Sequence, residues 1–128
     1  MIGKAIYNIM TNDSAVSAII GTRVYPVVLP MGIDHPALVY RIVDVQDVGT
    51  KQAILQKNYS VEVTVGHIEY DTLSDIADKV KAALSRKTGT YSGIEIQRSN
   101  CVSNGNEGFD IDNQLYIRVL KFEITQKL

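Results

Sequence analysis

Residues 14–40 read SAVSAIIGTRVYPVVLPMGIDHPALVY, and the order of parts in this stretch decides the fold. Asp13 or Asn12 can cap a turn of helix whose apolar side is Val16, Ile19 and Ile20, and Gly21 supplies the left-handed residue that ends it. Arg23-Val24-Tyr25-Pro26 follows as a short extended piece. A residue before a proline is pushed out of the helical region, so after His35-Pro36 the run Ala37-Leu38-Val39-Tyr40 begins as a strand. These parts are joined with almost no slack, and they make a scaffold that carries no chemistry.

Upstream, Ile2, Ile6, Ile9 and Met10 fall on one side of a first helix over residues 3–10, which packs with the second. Downstream, residues 38–45 are apolar at nearly every position apart from Arg41 and Asp44. That composition suits a strand covered on one face and partly shielded on the other, so another part of the chain must lie over the second face. Tyr59, Val61, Val63 and Val65 alternate with Ser60, Glu62 and Thr64, the pattern of a half-buried strand. Asp71 can cap the main helix, in which Leu73, Ile76, Ala77, Val80 and Leu84 recur at steps of three and four. Its acids come early and its bases late, in the order that suits the helix dipole, and Gly89 belongs to its exit. Residues 92–102 and 115–125 read as two closing strands joined by a loop over 103–108, where turn formers crowd. Residues 46–58 interrupt two strand patterns and read as a linker or the tip of a long hairpin. Together these parts predict an α+β fold, a single domain over residues 1–128 with a mainly antiparallel sheet and helices packed on one face.

A chain of 128 residues is one domain of ordinary size and buries roughly two thirds of its unfolded surface. Lys and Arg number 13 against 14 Asp and Glu, for a net charge of −1, and both halves of the chain are close to neutral. Phosphate binding needs a concentrated basic surface, so nucleic acid is not expected as a direct partner. No apolar run is long enough to span a bilayer, so no membrane partner is expected either. The start, Met1-Ile2-Gly3-Lys4, lacks the apolar core of a signal peptide, and residence in the cytoplasm is expected. The single cysteine, Cys101, has no internal disulfide partner and no companions for a four-ligand zinc site, and reads as a small buried strand residue.

Catalytic constellations fail one by one. His67-Ile68-Glu69 echoes the histidine and glutamate of the zinc deaminases, but that signature also needs Pro-Cys-x-x-Cys. His67 more simply ends a strand, and His35 is a loop histidine without a carboxylate or cysteine cluster. Asn104, Asn106, Asp110, Asp112 and Asn113 offer oxygen ligands, yet no glutamate stands where a calcium loop needs its bidentate ligand, and turn chemistry explains the same residues. Asp71, Asp75 and Asp78 lie on the exposed side of a helix, where acids can face each other without being desolvated. No pair of glycines stands between a strand and a helix as a phosphate cradle would require. Ser99 and Ser103 have no histidine that the sequence places beside them. No catalytic, cofactor-binding or metal-ligating residue is assigned, and the chain reads as a non-enzyme that needs no cofactor.

One resemblance goes further. An apolar helix, then Gly21-Thr22-Arg23-Val24-Tyr25-Pro26, then Pro30, then Pro36-Ala37-Leu38-Val39-Tyr40 resembles the tail-completion or tail-terminator family of long-tailed bacteriophages. The length and the later order of two long strands, one helix and a final strand pair carry the likeness over nearly the whole chain. The resemblance implies a structural virion protein that forms a six-fold ring, caps the finished tail tube, ends its growth and presents a surface for joining the head. It implies as partners further copies of the chain in a hexamer, the major tail tube protein and a head connector protein. The implied place is the head-proximal end of the tail, after assembly in the host cytoplasm. Two polar segments poorly explained as core are then candidate subunit or tube contacts: Gln46, Asp47, Lys51, Gln52 and Lys57 in one, and Asn104, Asn106, Glu107, Asp110 and Asp112 in the other. Plain solvent loops explain the same residues. Arg98, Arg118 and Lys121 on the closing strands line a ring lumen, meet acidic neighbours or occupy a solvated sheet face. Alternative readings are a head–tail connector or minor tail protein, and, disfavoured by the missing constellation, a small ligand-binding domain or enzyme.

Overall fold

The alternation over residues 59–65 places Tyr59, Val61, Val63 and Val65 on one face of a central strand, all of them buried, with Ser60, Glu62 and Thr64 on the other. A computed structural model describes residues 2–128, and of Asn104 the backbone only. In chain order the elements are α1 (Ile2–Asn12), α2 (Ser14–Ile20), β1 (Val24–Pro26), β2 (Ala37–Gly49), β3 (Ile54–His67), α3 (Tyr70–Leu84), β4 (Gly89–Tyr91), β5 (Ile94–Asp110) and β6 (Leu115–Lys127). The strands form one sheet in the order β1-β2-β3-β6-β5-β4. Only the outermost pair, β1 with β2, is parallel, so the fold is α+β with a mixed, mainly antiparallel sheet.

Register carries the buried row across the sheet. Val61 faces Ile42 and Phe122, Tyr59 faces Val45 and Ile124, and Val63 faces Tyr40 and Leu120. The three helices cover this face. Ile2, Ala5, Ile6, Ile9 and Met10 of α1, Val16 and Ile20 of α2, and Leu73, Ile76, Val80 and Leu84 of α3 join the same core. The opposite face of β2 is also partly covered, as its composition demanded: Val27, Val28 and Leu29 line a cavity with Ala37, Val39 and Leu115 there.

Of the two candidate caps for α2, Asp13 is the one used. Its Oδ1 accepts from the backbone N–H groups of Ala15 and Val16, each at 3.0 Å, whereas Asn12 donates back to Asn8. Gly21, at φ +64°, donates to the Ser17 carbonyl and turns the chain into β1.

Three expectations need correction. Asp71 does not cap α3: the helix begins at Tyr70 behind an extended Glu69, and Asp71 lies inside the first turn, where it acts on the dipole alone. Residues 103–108 are strand and not loop. β5 runs through them because register shifts between Cys101 and Ser103 and between Ser103 and Asn106 absorb the extra residues against β6. Of the two readings of residues 46–58, the linker fails and the tip of a long hairpin holds, since β2 and β3 pair out to Gly49 and Ile54 and leave a turn at 50–53. Gly49 is required there, because a Cβ would run into the Ala53 carbonyl oxygen. β4 was not foreseen, as three residues are too few to show alternation. Cys101 is half-buried against the core, with Sγ 3.5 Å from the Ser103 carbonyl.

Phe122 is 1% exposed at the centre of the buried row. Phe122→Ala is expected to cost about 3–5 kcal/mol and Asp13→Ala about 1 kcal/mol in urea unfolding, with Lys121→Ala changing stability by less than about 0.5 kcal/mol.

Candidate functional site

The two hairpins point in opposite directions. Antiparallel pairing of β3 with β6 brings Gln56 opposite Lys127 and His67 opposite Tyr116. The β2–β3 turn therefore lies at one end of the sheet and the β5–β6 turn at the other, roughly 40 Å apart at about 3.3 Å per residue.

At the β2–β3 end the outer half of the hairpin stands clear of the helices, with β2 exposed from Val43 onward. Asp47 is paired with Lys57 at 3.9 Å, and Gln46, opposite Asn58, donates to Asp44 at 3.3 Å. Lys51 and Gln52 occupy the turn itself. There the Thr50 hydroxyl accepts from the N–H groups of Gln52 and Ala53, each at 3.3 Å, an arrangement that fixes the tip. Among these polar residues stand exposed apolar ones: Val43 and Val45, from the run already read as strand, and Val48, Ile54 and Leu55 within the supposed linker. Their signal was the alternation Val43-Asp44-Val45-Gln46, which continues the strand pattern into the supposed linker.

At the β5–β6 end Asp110 organises the turn. Its Oδ1 accepts from the Asp112 and Asn113 N–H groups at 3.1 and 3.2 Å, and its Oδ2 from the Asn113 side-chain amide at 2.9 Å. The amide and the two N–H groups hold the Asp110 carboxyl below its ordinary pKa, the Asn113 side chain contributing most. Asp112 and Asn106 are exposed. Glu107 accepts from the Tyr70 hydroxyl at 2.6 Å and pairs with Arg118 at 3.4 Å, and the first of these bonds raises the Tyr70 pKa. Tyr116 packs edge-on against both Tyr70 and Phe109, with centroids 5.3 and 5.1 Å apart. Tyr70, Phe109, Ile111 and Tyr116 are exposed, and sequence reading passed over all four. The side chain of Asn104 lies outside the described residues.

Arg98, Arg118 and Lys121 do not share one face. Arg98, level with Thr125, and Lys121, level with Glu62, project from the side without helices, where Arg98 borders a polar groove of about 290 Å³ with Gln46, Asn100 and Glu123. Arg118, level with Val65, points to the helix side and donates to the Ser74 hydroxyl at 2.8 Å as well as to Glu107. His67 and Cys101 are six β6 positions apart, facing Tyr116 and Phe122 respectively, and share no site. Among the described residues no group of three His, Cys, Asp or Glu is placed to hold a metal ion, and no helix is long and apolar enough to cross a membrane.

What the arrangement offers is therefore surface: two fixed turns and two apolar patches at opposite ends of a rigid sheet. Residues 4–127 match the model of the family described as Tail completion protein gp17. The chain belongs to the tail completion protein gp17 family. This is a structural family of the phage tail and not an enzymatic one, so the chain is a structural, tail-related virion protein. A solved structure titled "Virion of native gene transfer agent (GTA) particle" contains a chain of the same fold, with a TM-score of 0.77 and 18% identity over 99% of this chain and 95% of that one. A second solved structure is more distant, with a TM-score of 0.55 and 13% identity over 89% and 87%. No curated protein matches the sequence.

The depressed pKa of Asp110 carries a pH signature. Because the folded value lies below the unfolded one, near 3.8, the carboxylate contributes stability at higher pH and loses it as pH falls through the folded value. Asp110→Ala is expected to lower the thermal midpoint of this tail completion protein at pH 7, with the difference from wild type narrowing as pH falls through the folded value, below 3.8.

Proposed function

We propose that this protein forms a six-fold ring that caps the tail tube, ends its growth and presents a surface to which the head connector joins. Membership of the tail completion family is the observation that carries the reading. The opposed hairpin ends support it, since a ring that terminates a tube needs one face that matches the last tube ring and another that offers tube subunits no equivalent surface. Growth then stops by geometry, without a chemical step. Partners on this reading are further copies of the chain, the major tail tube protein and the head connector protein. The place of action is the head-proximal end of the tail, after assembly in the host cytoplasm. The candidate contacts are the two hairpin ends: Gln46, Asp47, Lys51, Gln52 and Lys57 at one, and Asn106, Glu107, Asp110 and Asp112 at the other. Ring contacts of this kind join different surfaces of neighbouring subunits head to tail, and they close into a ring when six equal rotations complete the circle.

The test is tube length. Polymerising tail tube protein with increasing amounts of this chain is expected to shorten the tubes, as measured by electron microscopy, with the effect saturating near one ring per tube end. Tubes of unchanged length at every ratio would contradict termination. In a phage lacking the gene, over-long tubes without heads are expected, whereas tubes of normal length beside full, unjoined heads would assign the chain to the connector instead.

A further inference from the structure

The sheet has two free edges, and they are diagonal. β1 pairs with β2 only at Leu38, Val39 and Tyr40, so residues 42–49 have a strand on one side alone. On the far side, β4 covers β5 only at residues 94–96, and the Arg86 N–H bonds the Ser99 carbonyl, so residues 100–110 are likewise paired only with β6. Long free edges are usually blunted by lysine or proline, yet neither residue occurs in 42–49 or in 100–110. The β2 edge instead exposes Val43, Val45 and Val48.

We propose that a second copy of this chain occupies each edge, β2 of one subunit pairing antiparallel with β5 of the next, displaced along the strands by about half a strand length. This rests on the ring reading above and names the surfaces that close the ring. Strand direction alternates across β2, β3, β6 and β5, so copies related by rotation bring β5 and the neighbouring β2 together antiparallel, and the alternation continues without a break. The displacement follows from level: across the sheet Asp44 is level with Ser60, Glu123 and Asn100, so the two free stretches overlap only near that row. To bring their centres together the neighbour must shift by five or six residues, about 18 Å, across four strands that span about 19 Å. That ratio sets the strands at roughly 45° to the ring axis, at the upper end of the tilt of closed sheets.

Site-specific cross-linking tests this on the full chain with Cys101→Ser as background. Val45→Cys and Asn106→Cys proteins are mixed with a short bismaleimide, in solution at up to about 1 mM and on preformed tail tubes, with mass measured in parallel. The expected result is cross-linked dimer in the mixture at least about tenfold above either protein alone, and tenfold above a Val45→Cys and Asn100→Cys mixture, which probes unshifted pairing. Equal or greater yield from the Asn100→Cys mixture, or dimers from one variant alone, would overturn the displaced pairing. A closed oligomer in which Val45→Cys and Asn106→Cys give no cross-link would overturn the interface and leave the ring standing. No association in either setting would overturn the ring reading, and the interface with it.

Discussion

Burial of Tyr59, Val61, Val63 and Val65 on one face of β3 is the constraint from which the other elements take their places. Water must be kept from that row, and β2 and β6 extend it sideways while α1, α2 and α3 close over it. Once the helices are committed to one face, the other carries Ser60, Glu62, Thr64, Lys121 and Glu123 and is left without a layer, apart from the Val27–Leu29 segment near one end. The helices cover only the middle of the strands. Both hairpins outrun them, and that excess length creates the two ends on which assembly is argued.

Legibility in the sequence followed burial. Where one face of an element is buried, its period is written in apolar residues: Tyr59 to Val65 for β3, Leu73 to Leu84 for α3, and Ile2 to Met10 for α1. The cap at Asp13, the stop at Gly21 and the strand after Pro36 were readable for a similar reason, because each depends on local chemistry alone. The outer half of β5 was not. Ser103-Asn104-Gly105-Asn106 has the composition of a turn, and only pairing with β6, a tertiary effect, holds it extended. The same holds for residues 46–49, whose one valine, Val48, is exposed and meets no core. Of the candidate site, the polar residues were found and the apolar ones were missed: Ile111 sits in a polar turn, Phe109 stands between Gly108 and Asp110, and Tyr116, between Leu115 and Ile117, reads as one more strand residue.

The exposed apolar residues change what the hairpin ends mean. A solvated loop has no use for Ile111 at 79% exposure or Leu55 at 53%. Their placement beside fixed turns, at opposite ends of one sheet, suits a protein whose work is to be held between unlike neighbours. Arg118 shows the other side of the same logic. It is drawn away from the open face to bind Ser74 and Glu107, and so fixes the N-terminal end of α3 against the β5–β6 hairpin. Rigidity at that end lets a contact surface persist without the cost of ordering a loop on binding.

The most direct measurement is the mass of the size-separated protein by light scattering across a wide range of concentration, with and without short tail tubes. The account predicts a discrete closed oligomer of about six subunits, in solution or on the tube, that does not grow further with concentration. Open-ended growth, a dimer that closes on itself, or a monomer under both conditions would contradict it.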